Sequence, residues 1–313
     1  MNCIVTGVAG FIGSALARRL IEMGHSVSGI DCLLENLYSN DYKIENLNGL
    51  MKNKSFTFCE VDLRDSNLRI DLEEIDIIFH LAAMAGLKTT WSDFKVYQDC
   101  NILATNNLLQ LIKGNGSAKF VYSSTSSVYG KIASGDENSR LSPHSPYGVT
   151  KLAAEYLIES YNIDSTILRF FSVFGPRQRP DMAYSKIISQ VHEGKTVEIF
   201  GDGNQIRSNT FITDLVDALI LTGFNRAPSR IYNVAGSEKI SLNHAVKKIT
   251  DLLGKKALIQ YSEAREGDQI MTSGDSSLIA RELGWTPQIN FDLGIKLQVE
   301  QFLNAQKIRK SIL

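Results

Sequence analysis

The chain has 313 residues, of which 43% are hydrophobic and 21% are charged, and its formal net charge is -1. This length allows one large domain and a smaller one, and the composition is that of an ordinary globular protein. A net charge near zero argues against nucleic acid or an anionic membrane surface as a partner, because such binding depends on an excess of basic residues. No stretch is long and apolar enough to span a bilayer.

The four cysteines, Cys3, Cys32, Cys59 and Cys100, form no CxxC pair and have no histidine nearby in the sequence. Zinc sites and redox motifs need such spacing, so we expect no metal. Scattered thiols are typical of a reducing compartment, and the first residues lack a basic leader and a cleavage site. We therefore expect a cytoplasmic protein.

The first half of the chain alternates short apolar runs with helical patterns, which is typical of βαβ units around a parallel sheet. The runs do not alternate with polar residues, so we expect strands that are buried on both faces. A helix over residues 15–21 follows the first strand. The predicted strands cover residues 3–5, 26–30, 56–61, 76–80, 119–123 and 165–171.

A glycine-rich turn over residues 7–13 joins the first predicted strand to the first helix. Its glycines allow a tight turn and a close approach to a pyrophosphate, which the helix N-terminus then binds. Asp31 ends the next strand, where a carboxylate accepts hydrogen bonds from the ribose of NAD and would repel the extra phosphate of NADP. We expect Asp62 and Leu63 to face the adenine. The residues predicted to bind NAD on these grounds are Gly7, Gly10, Phe11, Ile12, Gly13, Asp31, Asp62 and Leu63.

These features predict an α/β protein with a Rossmann doubly wound parallel sheet and a smaller, interleaved α+β substrate domain. In the second half prolines become frequent and the predicted strands shorter. The NAD-binding domain is expected to comprise residues 1–171 and about 210–235. The substrate domain is expected to comprise about 172–209 and 236–313.

Tyr147 and Lys151 are four residues apart, so they lie on one face of a predicted helix. A free tyrosine has a pKa of about 10, and a phenol is a useful base near neutrality only if its anion is stabilised. Lowering that pKa by about three amounts to roughly 4 kcal/mol, which a nearby ammonium and the nicotinamide charge can supply together. We expect Tyr147 to be the base and Lys151 the cation that lowers its pKa.

A run of hydroxyl side chains, residues 123–127, follows the fifth predicted strand at its carboxyl end. Ligands of open α/β sheets bind at such ends. A hydroxyl there can hydrogen-bond both the substrate oxygen and the Tyr147 phenol during proton transfer.

Several motifs, in this order along essentially the whole chain, resemble those of the extended short-chain dehydrogenases that act on nucleotide-diphosphate sugars. They are the glycine turn of residues 7–13, His80-Leu81-Ala82-Ala83, Asn101, Ser-Ser-Thr-Ser-Ser-Val-Tyr-Gly at 123–130, Ser-Pro-Tyr-Gly-Val-Thr-Lys at 145–151, and Arg169-Phe170-Phe171 with Gly175-Pro176-Arg177.

The resemblance implies that Tyr147 is the base, that Thr125 is the active-site hydroxyl, and that Lys151 supports Tyr147 and holds the nicotinamide ribose. It also implies that Ala82 and Asn101 lie at the cofactor. Members of this family are homodimers, so we expect one here, formed by the helix bearing Tyr147 and the helix after Asn101.

Ser126 and Ser127 stand where dehydratases of the family carry Asp-Glu and decarboxylases usually carry Glu. Without a carboxylic acid to protonate a leaving hydroxide, the sequence favours epimerisation at C4 of a UDP-sugar. The segment 174–183 is similar to that of bacterial UDP-glucuronate 4-epimerases. A sugar carboxylate could be held by the hydroxyls of Ser126, Ser127 and Ser172 and by charge-assisted hydrogen bonds from arginine. The arginines predicted to contact the substrate are Arg177 and Arg179.

The resemblance also implies a set of residues that bind the nucleotide and its diphosphate. Two positions depart from the family pattern: Lys88 replaces the usual Arg, and Arg207-Ser208-Asn209 replaces Arg-Asp-Phe. The predicted set is Lys88, Arg207, Arg265 and Asp268.

Three alternatives stay open at this point. A UDP-glucose or UDP-N-acetylglucosamine 4-epimerase would share the chemistry but not the sugar. A dehydratase or decarboxylase would need an acid that Ser126 and Ser127 do not supply. A non-catalytic NAD-sensing module is typically missing the tyrosine or the lysine, and this chain has both Tyr147 and Lys151.

Overall fold

The apolar runs of the first half form buried strands. The computed structural model describes residues 1–35, 37–86, 91–115, 118–264 and 269–312. The strands of these residues are β1 (Asn2–Thr6), β2 (Ser26–Asp31), β3 (Phe56–Glu60), β4 (Ile77–His80), β5 (Lys119–Thr125), β6 (Ile132–Gly135), β7 (Ser165–Phe170), β8 (Ser172–Phe174), β9 (Thr196–Phe200), β10 (Ile206–Phe211), β11 (Ile231–Val234), β12 (Lys239–Ser241), β13 (Leu258–Ser262) and β14 (Met271–Gly274).

The helices follow the strands in the order expected of βαβ units. They are α1 (Phe11–Glu22), α2 (Asn40–Asn48), α3 (Phe94–Tyr97), α4 (Ala104–Asn115), α5 (Pro146–Tyr161), α6 (Ala183–Glu193), α7 (Ile212–Phe224), α8 (Leu242–Leu253), α9 (Ser277–Leu283) and α10 (Phe291–Ile312). Short 3₁₀ turns occur at Trp91–Asp93 and Ser126–Tyr129, and a π-helical turn occurs at Gln98–Leu103. None of the helices in the described ranges is both long and apolar enough to cross a membrane.

The larger sheet has the strand order β11-β7-β5-β4-β1-β2-β3 and only parallel pairs. The order reverses between β1 and β4, which is the crevice where ligands of doubly wound sheets bind. Each strand predicted for the first half is present within two residues of its predicted ends. The predicted fold class is therefore confirmed.

Two apolar layers cover the larger sheet, one on each face. One cluster includes Leu16 of α1 and Leu219 of α7, and the other includes Leu108 of α4 and Ile158 of α5. Because both faces are covered, the central strands carry apolar side chains throughout, and Ile4, Val5 and their neighbours are fully buried.

A smaller sheet has the order β12-β10-β14-β6, with β8 paired to β10, and β9 pairs with β13 alone. Strand β6 comes from the range predicted to belong to the NAD-binding part, yet it pairs with β14. Along the chain, α7 and β11 come between β10 and β12 of the smaller sheet. Helix α7 nevertheless packs against α1, and β11 joins the edge of the larger sheet. The two parts are interleaved in sequence, and the domain boundaries given above stay a prediction.

Candidate active site

A cavity of about 660 Å³ lies along the carboxyl ends of β1, β2, β4 and β5 and is closed by residues of the smaller sheet. Asn101, Lys151 and Arg177 are not among its lining residues. Lys88, Arg265 and Asp268 lie outside the described residues, so their roles stay predictions. The predicted site residues that do line the cavity are Gly7, Gly10, Phe11, Ile12, Gly13, Asp31, Asp62, Leu63, Ala82, Thr125, Ser126, Ser127, Tyr147, Ser172, Arg179 and Arg207.

The turn between β1 and α1 leaves no room for side chains at two of its glycines. A Cβ on Gly13 would lie 2.2 Å from the Gly7 carbonyl oxygen. Gly7 has φ +69°, and a Cβ there would lie only 2.8 Å from Ala82 N. Helix α1 begins at Phe11, and its N-cap Gly10 offers no side-chain acceptor. The first N–H groups of α1 are therefore available to a phosphate at the cavity wall, as a dinucleotide requires.

Asp31 sits at the end of β2 beside this turn. Its Oδ2 accepts the Ala9 N–H at 3.1 Å, and its Oδ1 accepts the Leu33 N–H at 2.9 Å. Burial raises the pKa of Asp31, and the positive charge of Lys43 opposes that rise. Each carboxylate oxygen keeps a lone pair for a ribose hydroxyl, so the position fits NAD.

Asp62 and Leu63 line the same end of the cavity, after β3. Arg64 lies beside them and holds Asp62 with a fork, at 2.9 Å from Nε to Oδ1 and 2.6 Å from Nη2 to Oδ2. This hydrogen bonding lowers the pKa of Asp62. The carboxylate is therefore occupied by Arg64, a residue that no sequence motif singles out.

The start of α5 brings Tyr147 to the cavity. Ser145 caps the helix by accepting the Gly148 N–H at 3.1 Å, and Pro146 occupies the first turn. A Cβ on Gly148 would lie 2.7 Å from Ser127 O, so the helix packs directly on the 3₁₀ turn after β5. Thr125 stands at the head of that turn and accepts the Ser127 N–H at 3.1 Å.

Burial raises the pKa of Tyr147 in the chain without cofactor. The hydrogen bond with Thr125 and the charge of Arg179 oppose this rise. The ammonium of Lys151 lies over the ring of Tyr122, 4.0 Å from the centre. Among the described residues, Arg179 is a cation whose charge favours the phenolate of Tyr147. The lowering expected from Lys151 together with the nicotinamide charge stays a prediction.

Lys151 is 1% exposed, one turn along α5 from Tyr147. Burial lowers its pKa to about 7, and the charge of Glu155 opposes that fall. Within the described residues its ammonium donates no hydrogen bond. A buried amine of this kind can bind a hydroxyl of a ligand that enters the neighbouring cavity.

Asn101 lies in the π-helical turn before α4 and is fully buried. Its Oδ1 accepts the Met84 N–H at 2.8 Å, and its Nδ2 donates to Thr150 Oγ1 at 3.0 Å. It therefore ties the loop after β4 to α5, and its amide is used for those contacts. It does not line the cavity, and its place at the cofactor stays a prediction.

Ser126, Ser127 and Ser172 present hydroxyls to the same part of the cavity. Gln269, which the sequence did not point to, fastens this part to the smaller sheet. Its Nε2 donates to Ser126 O at 3.2 Å and to Gly130 O at 2.9 Å. Gln269 thus connects the Ser126 turn to the smaller sheet.

Arg179 is largely buried and forms a fork with Asp181, at 3.0 Å from Nε to Oδ1 and 2.8 Å from Nη2 to Oδ2. Its guanidinium also lies 5.5 Å from the ring centre of Tyr38. Among the described residues, this side-on fork leaves the Nη1 hydrogens and one Nη2 hydrogen for a second acceptor. Asp181 and Tyr38 both line the cavity, and neither was predicted.

The side chain of Arg177 contacts α2 and does not line the cavity, which corrects the prediction that it contacts the substrate. Its Nη1 donates to Glu45 O at 3.4 Å and to Asn46 Oδ1 at 3.3 Å on α2. Its backbone is left-handed, with φ 63°, and its N–H donates to Gln301 of α10 at 3.2 Å. Arg177 and Arg179 therefore have different partners, although they lie in the same turn.

Arg207 lines the cavity from β10, where its Nη2 donates to Gln269 O at 2.5 Å. The strand runs unbroken through the unusual Ser208 and Asn209, which are both buried. Asn209 Oδ1 accepts the Tyr184 hydroxyl at 2.8 Å. The departure from the family pattern is accommodated without a break in β10.

A family model described as the NAD dependent epimerase/dehydratase family matches residues 3–235. The chain belongs to this family. Membership confirms the family resemblance found in the sequence, the class of NAD-dependent enzyme and NAD as the cofactor. The glycine cradle, Asp31 and the buried ammonium of Lys151 fit that cofactor.

The chain is similar to relatives over nearly its whole length. It is 39% identical to an uncharacterized UDP-glucose epimerase, YtcB, of Bacillus subtilis, over 96% of this chain and 97% of that protein. It is 35% identical to a UDP-glucuronate 4-epimerase of Thermodesulfobacterium geofontis, over 99% and 98%. The structure matches that of the UDP-glucuronic acid 4-epimerase of Bacillus cereus, in complex with UDP-glucuronic acid and NAD, with a TM-score of 0.92 and 34% identity over 97% of this chain and 100% of that one.

Proposed function

We propose that this enzyme is a UDP-sugar 4-epimerase and that its sugar pair is UDP-glucuronate and UDP-galacturonate. The observation that carries the choice of sugar is the pairing of Arg179 with Asp181 at the cavity wall. A largely buried guanidinium that keeps three N–H groups free of the described residues is suited to a carboxylate. The similarity to two enzymes named as acting on UDP-glucuronate supports the same choice.

In the proposed reaction, NAD supplies the reversible oxidation of the sugar at C4. Tyr147 accepts the proton of the C4 hydroxyl and later returns it, while Thr125 hydrogen-bonds the same region. The carbonyl that forms at C4 makes the sugar a β-keto acid, which loses CO₂ readily when its carboxylate is poorly held. Arg179 and the hydroxyls of Ser126 and Ser172 would hold that carboxylate by hydrogen bonds.

The diphosphate would be bound by Arg207 and by the predicted residues Lys88 and Arg265. Asp268 is predicted to hold the ribose of the nucleotide. Arg207 is already oriented by its hydrogen bond to Gln269 O. Gln269 also donates a hydrogen bond to Ser126 O. One residue therefore contacts both the proposed diphosphate side and the proposed sugar side of the cavity.

Arg179→Ala separates the proposed sugar from its rival, UDP-glucose. We expect kcat/KM for UDP-glucuronate to fall about tenfold to a hundredfold, because a charge-assisted hydrogen bond contributes about 1.5–3 kcal/mol. The value for UDP-glucose should fall by a clearly smaller factor, since that sugar has no carboxylate to lose and is affected only through the charge that Arg179 places near Tyr147. Coupled assays on both sugars measure the two values.

Arg177→Ala is the matched control, because Arg177 lies in the same turn as Arg179 but bonds α2 outside the cavity. It should leave both sugars nearly unaffected. Equal losses on both sugars with Arg179→Ala would contradict the proposal and assign Arg179 to a part that the sugars share. Turnover of UDP-glucose alone by the unmodified enzyme would favour the alternative sugar pair.

We also propose a homodimer formed through α4 and α5. Leu103, directly before α4, is 40% exposed, and Tyr156 of α5 is 57% exposed. Apolar and aromatic side chains exposed on adjacent helices are suited to an isologous contact. Sedimentation equilibrium tests this, and a stable monomer would contradict it.

A further inference from the structure

The ammonium of Lys151 lies in an unusual place for a cation. Lys151 is fully buried, and its ammonium donates no hydrogen bond to the residues that the structure describes. The group that it meets is the face of the Tyr122 ring, 4.0 Å from Nζ to the ring centre. A cation within about 6 Å of an aromatic face is attracted by the ring quadrupole, most strongly when water is excluded.

Tyr122 is rigidly held. It lies in β5, where it is paired with His80 of β4 and Ile167 of β7. Its ring is fully buried and packs beside those of His80 and Phe120. Its hydroxyl makes no hydrogen bond of good geometry to the described residues. The ring face, rather than the hydroxyl, is therefore what Tyr122 offers to Lys151.

The charged and titratable groups around Lys151 do not replace this contact. Glu155, one turn further along α5, is held by Arg169 of β7 at 2.7 Å and by Ser124. His80 of β4 is neutral, because burial and then the charge of Lys151 lower its pKa to about 3. Its ring nitrogens bond Thr6 and Thr105.

We propose that Tyr122 is a positioning residue for Lys151: its ring face holds the ammonium in place for NAD and favours the charged form. Lys151 can then act on the cofactor with one contact already made on the protein side. Without the ring, the ammonium would have only the more distant charge of Glu155 to offset its burial. This inference does not depend on which sugar the enzyme uses.

The titration of Lys151 in the cofactor-free protein tests the proposal directly. Lysine labelled with ¹³C at Cε reports protonation by NMR, and Lys151→Met identifies the signal. Tyr122→Phe keeps the ring, and we expect it to titrate like the unmodified protein. Tyr122→Leu should lower the pKa of Lys151 by about one and weaken NAD binding, measured by calorimetry, about tenfold.

If Tyr122→Leu does not fold, fluorinated phenylalanines at position 122 supply the same test with little change of shape. Fluorine weakens the negative face of the ring, so the pKa of Lys151 should fall stepwise from phenylalanine to the monofluoro, difluoro and trifluoro forms. An unchanged titration across that series would overturn the proposal. Tyr122→Phe behaving as badly as Tyr122→Leu would also overturn it, because the hydroxyl would then carry the role.

Discussion

Arg179 and Lys151 are two described cations near the proposed base, Tyr147, and they occupy different environments. Arg179 acts on the phenol directly and opposes the rise in its pKa, while Asp181 holds its guanidinium. Lys151 lies over Tyr122 instead. Burial therefore disfavours the phenolate of Tyr147 in the chain without cofactor, and further positive charge, which the oxidised cofactor brings, would favour its formation near neutrality.

The burial of Lys151 carries a stability cost that depends on pH. Its pKa is lowered from 10.5 to about 7, so between these values the unfolded chain binds more protons than the folded one. The cost is greatest at pH 7 and below, and it shrinks as the pH rises towards 10.5. We expect cofactor-free Lys151→Met to be more stable than the unmodified protein at pH 7, by about 1–3 kcal/mol.

Denaturant unfolding of the cofactor-free protein at about pH 7, 8.5 and 10 measures this gain, which should decline towards the highest pH. Lys52→Met is a control, because Lys52 is exposed. Lys151→Met should also abolish turnover, so activity and stability move in opposite directions. A gain that does not vary with pH would show that it comes from packing rather than from the buried charge.

The residue types of the site could be predicted from the sequence, but several of their partners could not. Tyr147 and Lys151 are four apart on one helix, and Asp31 follows the glycine turn at a typical distance. Tyr122, in contrast, reaches Lys151 from another element, and no local pattern marks that contact. Arg177 and Arg179 look alike in sequence, and only the structure shows that their partners differ.

At the level of elements, prediction succeeded where burial on two faces leaves a continuous apolar run, as in β1 and β5. It missed β6, which is short, contains Ser134 and Gly135, and pairs with a strand more than a hundred residues away. A strand of that kind is defined by its partner and carries little signal of its own.

The turn between β8 and α6, which carries Arg179, is held by the last helix. Gln298 of α10 is buried, and its Oε1 accepts the Gly175 N–H at 3.0 Å. Its Nε2 donates to Gln178 Oε1 at 2.9 Å. Helix α10 is far from this turn in sequence and does not line the cavity, yet it fixes the turn from which Arg179 extends.

We expect Gln298→Leu to lower stability by about 1–3 kcal/mol, because it leaves the buried Gly175 N–H without its acceptor and removes one donor to Gln178 Oε1. If Arg179 binds a sugar carboxylate, kcat/KM for UDP-glucuronate should fall further than that for UDP-glucose. Denaturant unfolding and parallel assays measure these effects, with the exposed Gln288→Leu as control. A stable variant with unchanged turnover of both sugars would show that the turn holds Arg179 without α10.

At the scale of the whole molecule, the cavity is lined by residues of both the larger and the smaller sheet. The cofactor side could be predicted because it rests on the glycine turn and strand ends of the first half. The substrate side depends on contacts across the two parts, such as Gln269 with Ser126, which the sequence does not mark. The roles of Lys88, Arg265 and Asp268, the homodimer and the cytoplasmic location stay predictions.

The central claim is that the enzyme inverts C4 of a UDP-uronate and retains its carboxylate. The most direct test is to incubate the purified protein with UDP-glucuronate and NAD⁺ and to follow the products by NMR. We predict that UDP-galacturonate accumulates to equilibrium without release of CO₂. Formation of a UDP-pentose with CO₂, or no reaction under conditions in which UDP-glucose is turned over, would contradict this claim.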